Sequence, residues 1–318
     1  MDLKTISGKV KNRTHTIQHE YLKRYKKHTF NGVKCSDISQ YEAVITRLYH
    51  TIEKGLSYEN YRAGFGRNNI ETLIKAIKNY LNDFNDVNRY FYRTAISVLK
   101  RYVEKNFQYG LKDDVLKKVI DRFPGNANDD GGEMTFVPKT KEELEKMNFR
   151  ELMEDRHSIR HFSDKPVKTE KIVEAIKIAQ HTPSACNRQG WKARIIANKS
   201  VIKNVLANQN GNSGFGQEID KLIVVTSDLS YFNHDREVFQ AFIDGGMYAE
   251  SILNALHYSH IGSVPLSASL SCAQESNVRK ILKMKDSEIL ILFIGAGNYP
   301  DVCITTKSVR HEPRVEVI

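Results

Sequence analysis

The sequence has few of the features that mark secreted, metal-bound or membrane-spanning proteins. Its 318 residues include only four cysteines, far apart along the chain, at Cys35, Cys186, Cys272 and Cys303. Because no CxxC pair occurs, neither a zinc ribbon nor a disulfide framework is indicated. No apolar run of about 18 residues is present, so we expect no helix that spans a membrane. The N-terminal stretch also lacks the apolar region of a secretory signal, and the expected location is the reducing cytoplasm.

Several common catalytic motifs are also missing. The sequence contains no P-loop and no GxSxG, so P-loop phosphoryl transfer and serine hydrolysis have no anchor. His157 and His161 have the i, i+4 spacing that can chelate a metal, but there is no HExxH and the flanking arginines repel a cation. We therefore expect no metal. The stretch GAGNYP is not a dinucleotide fingerprint, because Pro300 stands where the third glycine would be.

Positive charge is concentrated in the first half of the chain. Residues 1–150 hold 28 Lys and Arg against 19 Asp and Glu, whereas residues 151–318 hold 20 against 19. An anionic partner such as nucleic acid, a lipid surface or an acidic substrate would account for this excess. A solvated basic tail with basic helix faces would account for it as well. We favour the solvated tail, and we expect no nucleic acid partner.

Helical spacing dominates the chain before about residue 125. Ile45, Leu48, Ile52 and Leu56 fall at i, i+3, i+7 and i+11, and similar apolar stripes recur further along. Such stripes predict amphipathic helices that each bury one face. The stretch FPGNANDDGGEM then combines proline, glycine, asparagine and aspartate, which is typical of a loop or linker. The first half is therefore predicted to be a small, basic, all-helical domain.

Helices and strands alternate after this linker. KARIIAN, KLIVVTSD and EILILFIGAG have the composition of strands, TEKIVEAIKIAQ that of a helix, and residues 236–259 that of a long apolar helix. The alternation predicts an α/β or α+β domain around one sheet. We accordingly divide the chain into a helical N-terminal domain (1–125), a linker (126–147) and an α+β domain (148–318).

Two polar stretches stand out in the second half. EDRHSIRHF places Arg156, His157 and Arg160 around Ser158, which suits a phosphate but also fits an ordinary basic turn. HTPSACNRQGWKARII, residues 181–196, is a proline-started polar loop between a helix and a strand, and it contains the only tryptophan. Such a loop is an expected place for a ligand, although its composition alone fits an ordinary loop equally well.

Together these two stretches resemble the nitroreductase family of flavoproteins. That family has R-x-S-x-R/K and an aromatic residue, then a helix, then P-S-x-x-N-x-Q-P-W; RHSIRHF and PSACNRQGW stand here. DGGMYAESILNALHYSHIGSVPLS, ILFIGAGNYP and KSVRHEP are similar to later parts of the family, so the resemblance covers about residues 148–318. This sequence departs from the family pattern at Gly190, where proline is usual, and in the spacing between Arg310 and Pro313.

The resemblance implies an α+β, nitroreductase-like FMN-binding fold, with a central mixed sheet flanked by helices. It also implies that four stretches of the chain bind FMN. Their residues are Arg156, His157, Ser158 and Arg160; Pro183, Ser184, Ala185, Asn187 and Gln189; Pro265, Leu266 and Ser267; and Lys307 and Arg310. Arg156 and Ser158 would hold the 5′-phosphate together with Arg310 or Lys307. Arg160 would face the pyrimidine end of the flavin, and the third stretch would lie beside flavin N5.

The activity implied by the resemblance is ping-pong hydride transfer. NADH or NADPH would reduce the flavin at N5, and an organic acceptor, such as a nitroaromatic or quinone in vitro, would then be reduced. Because the flavin performs the chemistry, no catalytic side chain is implied. The family usually builds its site across a homodimer, so the 183–187 loop would serve the partner's flavin. Alternatives are the flavin-fragmenting enzymes, reductive dehalogenases and azoline dehydrogenases of the same fold, or a non-catalytic FMN-binding assembly protein.

The helical half carries a second, weaker resemblance. YHTIEKGLS, followed by RAGFG, is similar to the N-terminal segment of nitroreductase-like proteins found with polysaccharide-biosynthesis functions. His50, Glu53 and Lys54 share one helical turn, and two glycines bracket Phe65. A capped helix followed by a tight loop also explains this pattern. The alternative is a basic platform over the flavin, which would suit an anionic substrate such as a sugar nucleotide or an acidic glycan precursor.

Overall fold

The computed structural model describes residue 19 and residues 21–28, 35–232 and 235–318. The chain divides into two compact units. We call one the helical unit, which consists of His28–Phe136 and Ile304–Ile318, and the other the sheet unit, which consists of Met1–Lys27 and Val137–Cys303. Much of the basic N-terminal stretch singled out from composition lies outside the described residues.

The unit boundaries change the assignment of the positive charge. Over the helical unit, 19 Lys and Arg stand against 16 Asp and Glu, whereas residues 1–27 alone hold 8 against 2. The excess therefore belongs mainly to residues 1–27. The helical unit by itself holds only three more basic than acidic residues.

Four helices make up most of the helical unit: α1 (Ile38–Leu56), α2 (Arg67–Asp83), α3 (Tyr90–Gln108) and α4 (Asp114–Asp121). Asp37 caps α1 by accepting the backbone N–H of Gln40. Asp113 caps α4 in the same way, by accepting the backbone N–H of Leu116. The apolar stripes noted in the sequence face one shared core between these helices.

Buried tyrosine hydroxyls connect this core to the loops around it. Tyr92 on α3 donates to the carbonyl of Pro124 at 2.6 Å, and burial raises the pKa of Tyr92 to about 12. Tyr102, further along the same helix, donates to the carbonyl of Phe65 at 2.7 Å. Because a buried hydroxyl without a partner is costly, each bond fixes one loop against α3.

The stretch 126–147, predicted as a linker, contains regular structure. Strand β1 (Glu133–Phe136) pairs with strand β6 (Cys303–Thr306) in a two-stranded sheet, and helix α5 (Lys141–Lys146) follows β1. This pairing brings the C-terminal residues 304–318 into the helical unit. The compact units consequently differ from the domains drawn from the sequence, which placed the whole C-terminal end with the sheet.

Two glycines allow the chain to lie directly on α3 just before β1. A Cβ atom on Gly131 would lie 2.6 Å from Val98 Cγ2 and 2.7 Å from the carbonyl oxygen of Thr94, so no larger side chain fits. Gly132 has φ of +105°, and its carbonyl accepts the N–H of Lys307 at 3.1 Å. These two glycines, which belong to the predicted loop or linker, therefore permit close packing.

The sheet unit is built on four strands: β2 (Trp191–Ile196), β3 (Lys221–Asp228), β4 (Gly262–Ser267) and β5 (Glu288–Gly297). Their order is β2-β3-β5-β4, and all three pairings are antiparallel. The mixed character expected for the sheet is not found among these four strands. The reason is that helix α8 (Lys199–Leu206) and helix α10 (Cys272–Ile281) each return the chain to an adjacent antiparallel strand.

Three further helices of the sheet unit are α6 (Phe149–Asp155), α7 (Thr169–Ala179) and α9 (Gln240–Tyr258). Residues of α7 and α9 share a core with the strands. The long apolar helix predicted over 236–259 begins only at Gln240, after a short 3-10 turn. In the described part of the chain, no helix is both long and apolar enough to cross a membrane.

Candidate active site

The basic segment 156–160 leaves the end of α6 and runs onto the edge of the sheet. Ile159 is fully buried, and its N–H donates to the carbonyl of Ser263 in β4 at 2.9 Å. Phe162 is buried against Gly297, where a Cβ atom would come within 2.8 Å of the phenyl ring. These anchors leave the polar residues of the segment half-buried. They are Arg156, His157, Ser158 and Arg160.

Positive charge remains concentrated in this segment. Arg160 Nη1 donates to the carbonyl of Ser158 at 3.3 Å. His161 Nδ1 lies 2.7 Å from Glu218 Oε2. A carboxylate therefore engages one ring nitrogen of His161. Within the described ranges, no group of three or more metal-ligating side chains is found.

The third predicted stretch, residues 265–267, lies on β4, which is the edge strand of the sheet. Pro265 stands opposite Ile294 in β5, and an edge position tolerates its missing N–H. The carbonyl of Ser267 accepts Gln209 Nε2 at 3.0 Å. Because Ser263 is two residues before Pro265 in the same strand, the Ile159 bond brings the basic segment and residues 265–267 to one sheet edge.

The loop 183–189 has a tight and unusual backbone. Cys186, Asn187 and Gln189 all adopt positive φ, at 53°, 55° and 51°. Such values are uncommon for residues other than glycine, although asparagine adopts them more readily than most. Ser184 Oγ accepts the N–H of Gln189 at 3.0 Å and so closes the loop on itself. The loop therefore has a specific backbone conformation that its own hydrogen bond stabilises.

A buried carboxylate on α9 holds this loop. Asp244 is almost fully buried, and its Oδ2 atom accepts the N–H of Ala185 at 3.3 Å. Gln240 Nε2 donates to Asp244 Oδ1 at 2.7 Å. Sequence reasoning did not identify Asp244 as a site residue. The available signal was the DGG stretch, because this acidic residue stands in an otherwise apolar helix, at the start of the segment that resembles the family.

Side chains at the end of the loop connect it to α7 and the sheet. Gln180 Nε2 donates to Gln189 Oε1 at 2.8 Å, and Trp191 Nε1 donates to Gln180 Oε1 at 3.2 Å. The Trp191 ring stacks on Tyr248 of α9, with ring centroids 4.7 Å apart. Gln180 and Tyr248 were also not predicted, because both act through contacts with residues distant in sequence.

The departure from the family pattern at Gly190 has a local explanation. A Cβ atom on Gly190 would lie 3.0 Å from the Cβ atom of Tyr231, which is tight packing for any larger residue. Next to it, both terminal nitrogens of Arg188 contact Glu237, and the guanidinium lies 5.0 Å from the centre of the Phe232 ring. The residues after β3 thus cover this end of the loop.

Lys307 and Arg310, the predicted C-terminal phosphate residues, belong to the helical unit. Lys307 Nζ donates to the carbonyl of Asp129. Arg310 Nη1 donates to the carbonyl of Ser308, and its side chain is exposed. Neither residue contacts a carboxylate in these bonds. A role for either one in binding the phosphate stays a prediction.

Comparisons with known proteins agree with the motifs. Residues 153–298 match the family model described as "Nitroreductase family". A Streptococcus pyogenes protein named "Putative NAD(P)H nitroreductase" is 45% identical over 55 residues, 17% of this chain and 28% of that protein. An Archaeoglobus fulgidus protein named "Putative NADH dehydrogenase/NAD(P)H nitroreductase" is 29% identical over 150 residues, 46% of this chain and 81% of that protein. The match thus spans under a third of the first relative and about four fifths of the second.

Solved structures give a similar picture. A crystal structure from Parabacteroides distasonis, named "Putative NADH dehydrogenase/NAD(P)H nitroreductase", has 21% sequence identity and a TM-score of 0.43. The match covers 53% of this chain and 92% of the chain in that crystal structure. Residues 153–298 match the model of the nitroreductase family, and this match confirms the nitroreductase-like fold predicted for this part of the chain.

Proposed function

We propose that this protein is an FMN-dependent oxidoreductase that uses NADH or NADPH to reduce an organic acceptor. One observation carries the proposal. The Ile159 N–H bond to the Ser263 carbonyl, at 2.9 Å, brings the basic segment 156–160 to the sheet edge that also carries residues 265–267. Both stretches lie within residues 153–298, which match the nitroreductase family model, and this edge is where we place a flavin mononucleotide.

The residues at this edge fit FMN in their chemistry. Arg156 and Arg160 supply two guanidinium groups and Ser158 supplies a hydroxyl, as a phosphate dianion requires. All three are half-buried, and charge-assisted hydrogen bonds are stronger where water is partly excluded. Ile159, between them, is fully buried and fixes the backbone from which they project. The segment therefore supports phosphate binding better than a free surface turn would.

FMN, when bound, supplies the hydride-transfer chemistry between the nicotinamide and the acceptor. The chain's own residues bind and orient it. Arg156 and Ser158 serve the phosphate, and Arg160 places positive charge near the pyrimidine end. That charge favours the reduced, negatively charged form of the cofactor. We assign no side chain to proton transfer.

The protein acts as a homodimer in this proposal. Phe242 and Ile243 on α9 are each 52% exposed, and the neighbouring Phe239 and Met247 are also exposed. These four residues recur at helical spacing on one face, which is unusual for a helix in contact with water. Asp244 on the same helix holds the 183–189 loop, so a partner on this face would approach the loop as well. This supports flavin sites shared between subunits.

The physiological acceptor in this proposal is anionic, such as a sugar nucleotide or a polysaccharide precursor. Residues 21–28 are helical, and Tyr21 in this segment packs against Phe239 with ring centroids 4.9 Å apart. Four exposed cations follow Tyr21. They are Lys23, Arg24, Lys26 and Lys27. A cytoplasmic location fits the four cysteines, which are all free thiols.

A direct experiment tests the proposed function. The purified full-length protein is expected to be yellow and to release FMN on denaturation. Its absorbance should bleach when NADH or NADPH is added without oxygen and should return when a nitroaromatic or quinone is supplied. A colourless protein that cannot be reconstituted with FMN would contradict the proposal. A yellow protein that neither nicotinamide bleaches would favour the non-catalytic FMN-binding alternative.

A further inference from the structure

Three side chains from three separate parts of the sheet unit form a chain of contacts next to the basic segment. Asp155 is the last residue of α6, His257 lies near the end of α9, and Tyr299 follows β5. His257 Nε2 lies 3.3 Å from Asp155 Oδ2, and His257 Nδ1 lies 3.0 Å from the Tyr299 hydroxyl. His257 is only 1% exposed. Burial of an imidazole is costly unless both ring nitrogens are used, so these contacts define its place.

The carboxylate of Asp155 depends on this histidine. Asp155 Oδ2 and His257 Nε2 lie within ion-pair distance of each other, and among the described residues neither atom has another hydrogen-bond partner. Lys139 Nζ lies 3.6 Å from the other oxygen of Asp155. Burial by itself raises the pKa of Asp155, but the contact with His257 and the charge of Lys139 lower it overall. Asp155 is therefore ionised at neutral pH.

An ionised Asp155 has a consequence for its neighbour in sequence, Arg156. A carboxylate and a phosphate both form strong charge-assisted bonds with a guanidinium, so a carboxylate one residue away competes for it. The same negative charge also repels a dianion. The proposed role of Arg156 thus requires that the Asp155 carboxylate be engaged elsewhere.

We propose that His257, supported by Tyr299, is a positioning residue that holds the Asp155 carboxylate so that Arg156 serves the FMN phosphate. This inference rests on the proposed function. His257 fixes the side chain before the segment, and the Ile159 bond to Ser263 fixes the backbone after it. The three residues between these anchors are therefore arranged before the cofactor arrives, which reduces the ordering that binding requires.

The test compares two flavins that differ only in the phosphate. The full-length apoprotein is titrated with FMN and with riboflavin, and flavin fluorescence gives both dissociation constants. His257→Leu should weaken FMN binding by about tenfold, the size expected for one lost charge-assisted bond, and leave riboflavin binding unchanged. His257→Gln, whose amide can still donate to Asp155, should recover part of the loss. Replacement of Asp155 by Asn in the His257→Leu background should also recover FMN binding, because no carboxylate then competes for Arg156.

The matched control is His260→Asn. His260 also lies beside Tyr299, with ring centroids 5.3 Å apart, but no ion pair joins it to Asp155. Asparagine tolerates the φ of 57° at this position, and the ratio of the two affinities should not change. Equal losses of FMN and riboflavin in His257→Leu would overturn the inference, because they indicate a general packing role. If that variant does not fold, Tyr299→Phe is tested by the same ratio and with the same expected direction. A wild type without preference for FMN over riboflavin would contradict the phosphate site itself.

Discussion

Glu53 Oε1 accepts the backbone N–H of Gly132 at 3.0 Å, a contact that joins α1 to the stretch before β1 across 79 positions of sequence. Glu53 is only 1% exposed, and its other oxygen lies 3.1 Å from His50 Nδ1. A buried carboxylate is costly unless its oxygens are engaged, and here one backbone N–H and one imidazole engage both. Glu53, in the stretch YHTIEKGLS, therefore has a structural role within the helical unit.

Replacement of Glu53 should destabilise the helical unit. In Glu53→Ala, the N–H of Gly132 and the ring of His50 lose their acceptor, and the free energy of unfolding should fall by about 1–3 kcal/mol. Glu53→Gln should lose less, because its amide oxygen can still accept the Gly132 N–H. Urea unfolding followed by circular dichroism measures both. Equal losses in the two variants would show that the acceptor oxygen is not what stabilises this contact.

Replacement of Arg156 should weaken FMN binding. Arg156→Ala should lose a charge-assisted phosphate contact of roughly 1.5–3 kcal/mol, so FMN occupancy should fall at least tenfold under limiting FMN. Arg150→Ala is the control, because Arg150 lies on the exposed face of α6, where it forms an ion pair with Glu154. Absorbance of the purified proteins after dialysis gives the occupancy. Unchanged occupancy in Arg156→Ala would remove Arg156 from the phosphate site.

A charge on the exposed face of α9 should prevent dimer formation. Ile243→Glu would place a carboxylate in the proposed interface, where desolvation without a partner is costly. Sedimentation velocity should then detect monomers at concentrations where the wild type is dimeric. Val115→Glu in the helical unit is the control, since Val115 is 73% exposed and outside the proposed interface. A dimeric Ile243→Glu variant, or a monomeric wild type with bound flavin, would contradict the shared site.

Stability should decline in acid partly through Asp113. The backbone N–H of Leu116 and the guanidinium of Arg67 hold the pKa of Asp113 below the usual value for an aspartate. A lowered folded-state pKa means that the ionised form stabilises the fold above about pH 4 and that this contribution disappears as pH falls through the folded-state value. Asp113→Asn keeps a capping oxygen but cannot titrate. Its melting temperature should therefore fall less steeply than that of the wild type between about pH 4 and pH 2. Parallel curves for the two proteins would exclude this role.

Much of the sheet unit could be predicted because its signals are local. Arg156 and Ser158 belong to one short motif, and the 183–189 loop belongs to another, so the resemblance to the nitroreductase family is visible in local stretches of the sequence. Asp244 was missed because its contact with Ala185 joins residues 59 positions apart, and the local sequence around either residue gives no signal of this contact. His257 was missed for the same reason.

The regular structure within residues 126–147 could not be predicted from the sequence, again for a physical reason. Strand β1 has four residues, too few for an alternating pattern to emerge, and it follows a stretch rich in turn-forming residues. Its partner β6 begins at Cys303, far along the chain. Short strands depend on their partner for stability, and pairing over such a distance leaves no local signature. The division of the C-terminal end between the two units could not be foreseen.

The last prediction concerns selection of an anionic acceptor by the N-terminal segment. Deletion of residues 1–125 would not test it cleanly, because His311 and Arg314 at the C-terminal end contact Glu42 in α1. Neutralisation of the exposed cations in residues 23–27 leaves those contacts intact. The variant replaces four residues by glutamine: Lys23, Arg24, Lys26 and Lys27.

The variant with these four neutral residues should have a higher KM for an acidic acceptor, by on the order of tenfold at 0.1 M ionic strength, because a cationic surface raises the local concentration of anions. The KM for a neutral nitroaromatic should not change. At 1 M ionic strength the Debye length falls from about 10 Å to about 3 Å, so variant and wild type should converge. A control neutralises four exposed lysines elsewhere in the sheet unit: Lys171, Lys203, Lys280 and Lys285. If the control raises the KM for the acidic acceptor equally, net charge and not the N-terminal segment steers the substrate. If neither variant changes the KM for the acidic acceptor, the N-terminal segment does not select the acceptor.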